Sequence, residues 1–453
     1  MPSIKEVVGH AMALHQKGDE DGAAAVFEKL LKAKPEEPMA LEYLGLRAIK
    51  KRDYKTAVSL LRQAAGLPNC RPAVRLQLGH ALRDSGQLSD AADSYRRYVT
   101  DSSDPAGAVT LAEVLFDLDR MQEAESILRQ AVNWKQGHVK ALCLLARTCD
   151  VLQKPSDAEK FRTAALESEE DGKLTALMKA SVHLDLGEPD QAYEIAKDAA
   201  NCLYGDDLIT AADGLDLSAL PALQGTSPSG MGVPLIIASG DPAYVQRFAP
   251  DLIRSVNAQS TGTDIHIHVI IPDADGAPPA LPNDLPVHTM TWENEPNATR
   301  VTFTTRRFLR AASFMRTMDR PLILIDMDSV VKKDVAAAKT SLPDFDVALR
   351  YQAEEILLPQ RVCGGFLTLM PTSGALAFID MVAAYILHFE NNGSALWCLD
   401  QMALLAAHCS FSANDSPRLI QIVEVPERFV DWRRHAADSV LWTTKGVRKA
   451  LPK

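Results

Sequence analysis

The chain has 453 residues, 47% of them hydrophobic, and a formal net charge of -11. That is ample apolar material for two or more packed domains, and it leaves no overall basic field to gather a nucleic-acid backbone, so nucleic acid is excluded as an expected partner. The start, Met1-Pro2-Ser3-Ile4-Lys5-Glu6, has no apolar signal core, no run of 18 apolar residues is read as a membrane span, and the seven cysteines form no Cys-x-x-Cys pair. A cytoplasmic protein with reduced thiols is the expectation.

In the first 200 positions small residues recur at a fixed interval. One set is Ala11, Gly45, Gly79, Ala112, Ala146 and Ala180; a second, twelve residues later, is Ala23, Ala57, Ala91, Ala124, Ala158 and Ala192. The steps are 34 residues with a single step of 33, the spacing of paired helices that cross closely where only a small side chain fits. Leu44 and Leu78 precede the first small position, Phe27, Leu61, Tyr95 and Leu128 follow the second by four, and Gly18, Gly86 and Gly187 fall in the turns. Arg162 stands where that last series calls for an apolar residue. This pattern resembles the tetratricopeptide repeat, with Leu44-Gly45, Ala57 and Ala64 matching its Leu-Gly, Ala and Ala positions and Pro35 its closing proline. Six repeats are expected, near 4–37, 38–71, 72–104, 105–138, 139–172 and 173–206. Such arrays curve, and a protein or peptide partner on the concave face is what the resemblance implies.

From 207 to 232 the helical period gives way to Asp213-Gly214, Pro221 and Gly225-Thr226-Ser227-Pro228-Ser229-Gly230, which reads as a linker. A second domain is expected over 233–453. Pro234–Asp241 is a short apolar strand, Tyr244–Gln259 a helix and Asp264–Asp273 a second strand, a strand-helix-strand order that implies a parallel sheet covered on both faces. His266 and His268 share a face of that second strand and are read as packing residues. The arginine-rich stretch Thr304–Met318 reads as a helix, with Arg306, Arg316 and Arg320 solvating its flank.

After it, Pro321-Leu322-Ile323-Leu324-Ile325 drives an apolar strand into Asp326-Met327-Asp328. Ligands of open α/β sheets collect at the carboxyl ends of strands, so two carboxylates there offer hard oxygen ligands for magnesium or manganese bridged to phosphate. The plainer alternative is a strand leaving the core through its solvated end. Later come Cys363-Gly364-Gly365, a helix from Ser373 to Phe389, and Asp400-Gln401 opening a further helix.

In order and spacing, these elements resemble the nucleotide-diphospho-sugar transferases of the GT-A fold, in particular the family of glycogenin and the bacterial lipopolysaccharide galactosyltransferases. The resemblance implies an all-α repeat solenoid followed by an α/β GT-A domain, and a metal-dependent glycosyltransferase acting on a nucleotide-diphospho-sugar donor, UDP-sugars being favoured. It assigns the donor nucleoside to Ala238, Ser239, Asp241 and Tyr244, and the diphosphate to Arg307 and Arg310. It further places the metal on Asp326 and Asp328, the donor sugar over Gly364 and Gly365, and gives an acceptor-side or basic role to Asp400 beside Gln401. Two departures stand out. The family's C-terminal His-x-x-Gly-x-x-Lys is Thr443-Thr444-Lys445-Gly446-Val447-Arg448-Lys449 here, which keeps Lys445 for phosphate and lacks the His ligand, and Cys363 replaces the Asn of an Asn-Ala-Gly loop. A noncatalytic scaffold therefore stays open, as does a phosphohydrolase of the haloacid dehalogenase type with Asp326 as nucleophile.

Overall fold

The computed structural model describes residues 3–68, 70–339, 341–412, 420–432 and 435–443, which form two compact units, Met1–Glu170 and Asp171–Lys453. The first unit is five helix pairs. They are α1 (Ile4–Gln16) with α2 (Glu20–Ala33), α3 (Pro38–Lys50) with α4 (Tyr54–Ala65), α5 (Pro72–Asp84) with α6 (Leu88–Ser102), α7 (Pro105–Asp117) with α8 (Met121–Trp134), and α9 (Val139–Val151) with α10 (Pro155–Glu167).

The small residues are where the helices touch. A Cβ on Gly45 would stand 2.7 Å from Leu61, and one on Gly79 would stand 2.5 Å from Tyr95. Ala23, Ala57, Ala91, Ala124 and Ala158 are fully buried, as are Phe27, Leu61, Tyr95 and Leu128. Arg162 breaks that apolar series and instead pairs with Asp150 across the turn between α9 and α10. Successive second helices are joined by ion pairs, Arg62 to Asp90 at 2.8 Å, Arg96 to Glu123 at 3.1 Å and Arg129 to Asp157. Pairs this exposed are worth at most about 1 kcal/mol each, so they set the register of a stack that apolar burial holds together.

Each repeat turns through one left-handed residue. Gly18 and Gly86 fill that place with φ of 85° and 81°, but Arg52, Asp119 and Gln153 adopt 61°, 59° and 58° at the equivalent positions. A side chain there costs about 1 kcal/mol because its Cβ crowds the following carbonyl. Arg52→Gly and Gln153→Gly are expected to raise, not lower, the urea midpoint of the protein, whereas the same change in a helix interior costs about 1 kcal/mol.

The second unit begins at Asp171, the end of the fifth expected repeat, and so takes in the whole of the sixth. Its helices are α11 (Lys173–Asp185), α12 (Pro189–Ala196), α13 (Asp206–Asp213), α14 (Pro242–Gln259), α15 (Arg300–Met315), α16 (Val335–Lys339), α17 (Ser373–Asn391) and α18 (Leu399–Ser412). Its strands are β1 (Gln224–Gly225), β2 (Leu235–Gly240), β3 (Asp264–Ile271), β4 (Thr289–Asn294), β5 (Leu322–Ile325), β6 (Ser329–Val331), β7 (Val347–Tyr351), β8 (Val362–Leu369), β9 (Ile422–Glu424) and β10 (Leu441–Thr443). Eight strands form one mixed sheet in the order β1-β4-β3-β2-β5-β8-β7-β9. β4, β3, β2 and β5 run parallel, β8 runs antiparallel to β5, and β10 pairs with β6 in a separate ribbon. One core, built around Leu322, Leu324, Phe378 and Phe308, lies on one face of the sheet; another, around Ile323, Ile325, Val245 and Phe248, lies on the opposite face.

The expected boundaries shift for a specific reason. The sixth helix pair keeps the buried repeat alanines Ala180 and Ala192, yet α11 is bound to the sheet unit through Arg361. This side chain, 2% exposed, donates from Nε to Ser181 Oγ at 3.0 Å and from Nη1 to Ala353 O at 2.7 Å, and pairs with Asp185 at 2.7 Å. Asn201 donates to Ser394 O and accepts from Leu396 N. The segment read as a linker is built in as well. α13 packs on α17, Gln224 and Gly225 add an edge strand to β4, and Arg320, fully buried, donates to Ser229 O and Val233 O while pairing with Asp264. Arg320 is thus a fastening, and Arg316 pairs with Asp380; neither merely solvates a helix.

α17 is apolar and long enough by composition to cross a membrane, contrary to the sequence expectation, but half of that stretch is buried and it packs on α13, α15 and α18 as a core helix does. Because Arg361 loses its partners when α11 is removed, a fragment spanning 171–453 is expected to unfold cooperatively in urea while one spanning 207–453 is not. A buried cation stripped of its partners costs about 3–5 kcal/mol.

Candidate functional site

The carboxyl end of β5 is where the candidate residues meet. Leu322, Ile323, Leu324 and Ile325 are at most 1% exposed, so the strand emerges from the core only at Asp326. The parallel ladder with β2 ends at Ile237 opposite Leu324, and two residues further on lie Ser239 and Asp326. On the other side Ile325 is opposite Phe366, which places Asp326 across from Gly365. A Cβ on Gly365 would lie 2.7 Å from Asp326 Oδ2, and one on Gly364 would lie 2.8 Å from Asp400 Oδ2. Neither glycine has a positive φ, so what they supply is room for two carboxylates.

Arg307 of α15 ties this cluster together. Its Nη1 donates to Asp326 Oδ1 at 2.7 Å and to Ile325 O at 3.4 Å, its Nη2 donates to Gly364 O at 2.6 Å, and Asp400 Oδ2 lies 3.9 Å from Nη2. Burial alone would lower the guanidinium pKa, but the charges of Asp326 and Asp400 outweigh it and hold the group firmly protonated. For Asp400 burial dominates and pushes the carboxyl above its ordinary range; Arg307 pulls it down and Asp326 adds to the rise.

Asp328 is 3% exposed. Tyr244 hydrogen-bonds it, and the Tyr244 hydroxyl is pushed far up by burial first and then by the Asp328 charge and hydrogen bond. Ser239 is 5% exposed, and its Oγ has no hydrogen-bond partner among the described residues. Ser329, next to Asp328, opposes Thr443 across the β6–β10 ribbon with their hydroxyls 3.1 Å apart. At Thr443, where the sequence resemblance expects a His ligand, the chain carries a hydroxyl that faces Ser329, the neighbour of Asp328. Lys445 lies outside the described residues.

Other expected site residues are placed elsewhere. Ala238 is fully buried in the sheet core, and Asp241 caps α14 by accepting from Tyr244 N at 2.9 Å. Gln401 packs beside Gly364 but sends its amide to Val362 O at 3.2 Å, bracing β8. Arg310 does not join the cluster, against expectation. Its Nε donates to Glu293 Oε2 at 2.6 Å, and Arg306 pairs with the same carboxylate at 3.0 Å and with Glu295. Glu293 is fully buried and is also 3.3 Å from His268 Nε2. His266 and His268 bond Thr289 and Thr291, and burial drives the His266 pKa down to about 3, which keeps it neutral. They are strand-packing residues.

Two features had no signal in the sequence. Glu293 reads as one more polar position in an alternating strand, although it organises two arginines. Cys398, immediately before α18, holds φ at 74°, a strained value for a residue with a Cβ, at the turn that delivers Asp400. Elsewhere, Glu125, Cys149 and Asp157 bring three ligand-type atoms together, but Arg129 and Lys154 already pair with the carboxylates, so this is an ion-pair network. Among the described residues no such grouping of three includes Asp326 or Asp328.

The tetratricopeptide repeat family profile matches residues 8–70 and 76–138. The N-terminal half is a tetratricopeptide repeat scaffold. A comparison with curated proteins finds no match. Among solved structures, MamA overlays at 21% identity, covering 37% of this chain and 96% of MamA with a TM-score of 0.33. YrrB, described as a TPR protein with an unusual peptide-binding site, does so at 21% identity, 37% and 88% coverage and a TM-score of 0.33. PilF of Pseudomonas aeruginosa gives 13% identity, 43% and 89% coverage and 0.34. At these scores the overlays carry no argument, and the repeat assignment stands on the profile and the spacing.

The position of Asp400 predicts how stability varies with pH. A carboxyl whose folded pKa is raised adds stability that is complete below the ordinary carboxylate range and disappears as pH rises through the folded value. Asp400→Asn is therefore expected to raise the melting temperature relative to the wild type at pH 7–8, with the gain shrinking toward zero as the pH falls to about 4. Paired thermal melts across that range check it.

Proposed function

We propose that the second unit is a metal-dependent glycosyltransferase that uses a nucleotide-diphospho-sugar donor, and that the tetratricopeptide scaffold brings it a protein or peptide partner. The observation that carries the reading is the convergence of Asp326, Arg307, Gly364, Gly365 and Asp400 at the carboxyl edge of the parallel strands, where ligands of open α/β sheets gather.

The donor set suits a hard divalent cation, magnesium or manganese, of the kind that takes one or two carboxylates and completes its shell with water and substrate phosphate. Asp326 and Asp328 would hold it, and Thr443 beside Ser329 can take part only as a hydroxyl, not as an imidazole. When bound, the cation neutralises charge on a departing nucleoside diphosphate. Arg307 fixes Asp326 and presents a buried positive charge to the same region, while Gly364 and Gly365 let the carboxylates of Asp400 and Asp326 lie close against β8 where any side chain would displace them. Asp400, 3.9 Å from Arg307, is the carboxylate this reading assigns to accept a proton from an acceptor hydroxyl. Arg310 takes no part in this reading, because Glu293 holds it.

A second reading, a scaffold that binds a donor without turning it over, is favoured by the hydroxyl that stands where the family has its third ligand. One experiment separates the two. With manganese, a panel of UDP-, GDP- and CDP-sugars is screened by thermal shift and for donor hydrolysis. The enzyme reading expects one donor to raise the melting temperature only with metal, slow hydrolysis of that donor, and loss of both in the Asp326→Asn, Asp328→Asn double variant. Binding without hydrolysis leaves the scaffold; absence of binding across the panel sinks both.

A further inference from the structure

Three residues before Asp400 the chain exposes its largest side chain. Trp397 is 56% exposed and follows Leu396, 48% exposed, in a unit whose other described Phe, Tyr and Trp residues are all buried or half-buried. The segment is held in place on both sides. Asn201 accepts from Leu396 N at 2.6 Å and donates to Ser394 O at 2.7 Å, and the left-handed Cys398 turns the chain from Trp397 into α18. The guanidinium of Arg300 lies over one face of the indole at 4.1 Å.

Arg300 and Arg307 are both on α15, seven residues apart and so on the same side of the helix about 10 Å from each other. From Trp397 to Asp400 the chain spans at most about 11 Å between Cα atoms. Trp397 therefore belongs to the same neighbourhood as Arg307 and Asp400, its Cα within about 11 Å of that of Asp400, with a cation over the ring and 56% of the residue open. An exposed indole held rigidly beside a polar site suits the apolar C–H face of a pyranose, whose hydroxyls stay at the ring edge to reach nearby polar groups. A flexible peptide hydroxyl gains little from a flat platform.

We propose that Trp397 is the acceptor platform of this unit, and that the acceptor is a saccharide whose pyranose ring rests on the open indole face while one of its hydroxyls reaches Asp400. This rests on the transferase reading above. It makes the reaction one that extends an existing sugar, so a separate reaction must attach the first sugar to whatever the protein modifies.

The test uses the full chain labelled with 5-fluorotryptophan, the Trp397 fluorine signal being assigned with Trp397→Phe. With manganese and whichever of UDP, GDP and CDP raises the melting temperature, UDP being tried first, galactose, lactose, maltose and cellobiose are titrated in turn, alongside a serine- and threonine-containing peptide. The expected result is a saturable shift of the Trp397 signal with at least one saccharide, weakened about tenfold by Arg300→Ala, which removes the cation that holds the ring. If that nucleotide with manganese raises the melting temperature but no saccharide moves Trp397, or the peptide moves it in their place, the platform is overturned and the transferase reading stands. If none of UDP, GDP and CDP binds with manganese, the reading beneath the platform falls and the platform falls with it.

Discussion

A single buried guanidinium holds the candidate site in shape. Arg307 reaches from α15 to the backbone of two strands, at Ile325 and Gly364, and to the carboxylate of Asp326, with Asp400 just beyond. A cation this deep survives because both of its terminal nitrogens find acceptors and two carboxylates lie beside it, and removing one partner leaves a charge that the interior cannot solvate. The constraint also runs outward. Gly364 and Gly365 must be glycine because the carboxylates that answer Arg307 occupy the space above them. β5 must also end at Asp326, because one residue more of strand would turn the carboxylate to the opposite face.

The same logic of paired burial explains why the sixth repeat belongs with the sheet. In the first unit the two helices of a pair meet through small residues over large ones, Gly45 over Leu61 and Gly79 over Tyr95, contacts that need no charge. α11 keeps the small residue Ala180 but adds Ser181 and Asp185, which satisfy the buried Arg361 at the start of β8. β8 carries Gly364 three residues later. A repeat helix is thereby coupled, through one arginine and one strand, to the backbone that Arg307 grips.

Much of this was legible in the sequence, and the reason lies in the kind of signal. The repeats announce themselves because close helix crossings admit only small residues, so the period of 34 survives even where Arg162 breaks the apolar series. The acidic strand end was legible because a fully apolar run can stop at two carboxylates only where the sheet meets solvent or ligand. Partner choice was not legible. Arg307 and Arg310 lie one turn apart on one helix, and sequence alone treats them alike; a carboxylate on β4, Glu293, captures one and leaves the other to Asp326. Arg320 and the segment from Ser229 to Val233 failed for the same reason, since a Gly- and Pro-rich stretch reads as a linker until a buried donor is found that needs its carbonyls.

The left-handed positions show how far a fold tolerates local cost when geometry demands it. Repeats that place Gly18 and Gly86 in the turn and those that place Arg52, Asp119 and Gln153 there have the same backbone, so the turn is imposed by helix packing and not chosen by the residue. Cys398 belongs to a different class. No repeat requires its conformation, it lies two residues before Asp400, and it sits between an exposed indole and a buried carboxyl whose ionisation the interior opposes. Strain and a costly buried acid in consecutive turns are poor choices for stability alone. Their coincidence at the carboxyl edge of the sheet falls where the proposed transferase reading would have α18 face its ligand.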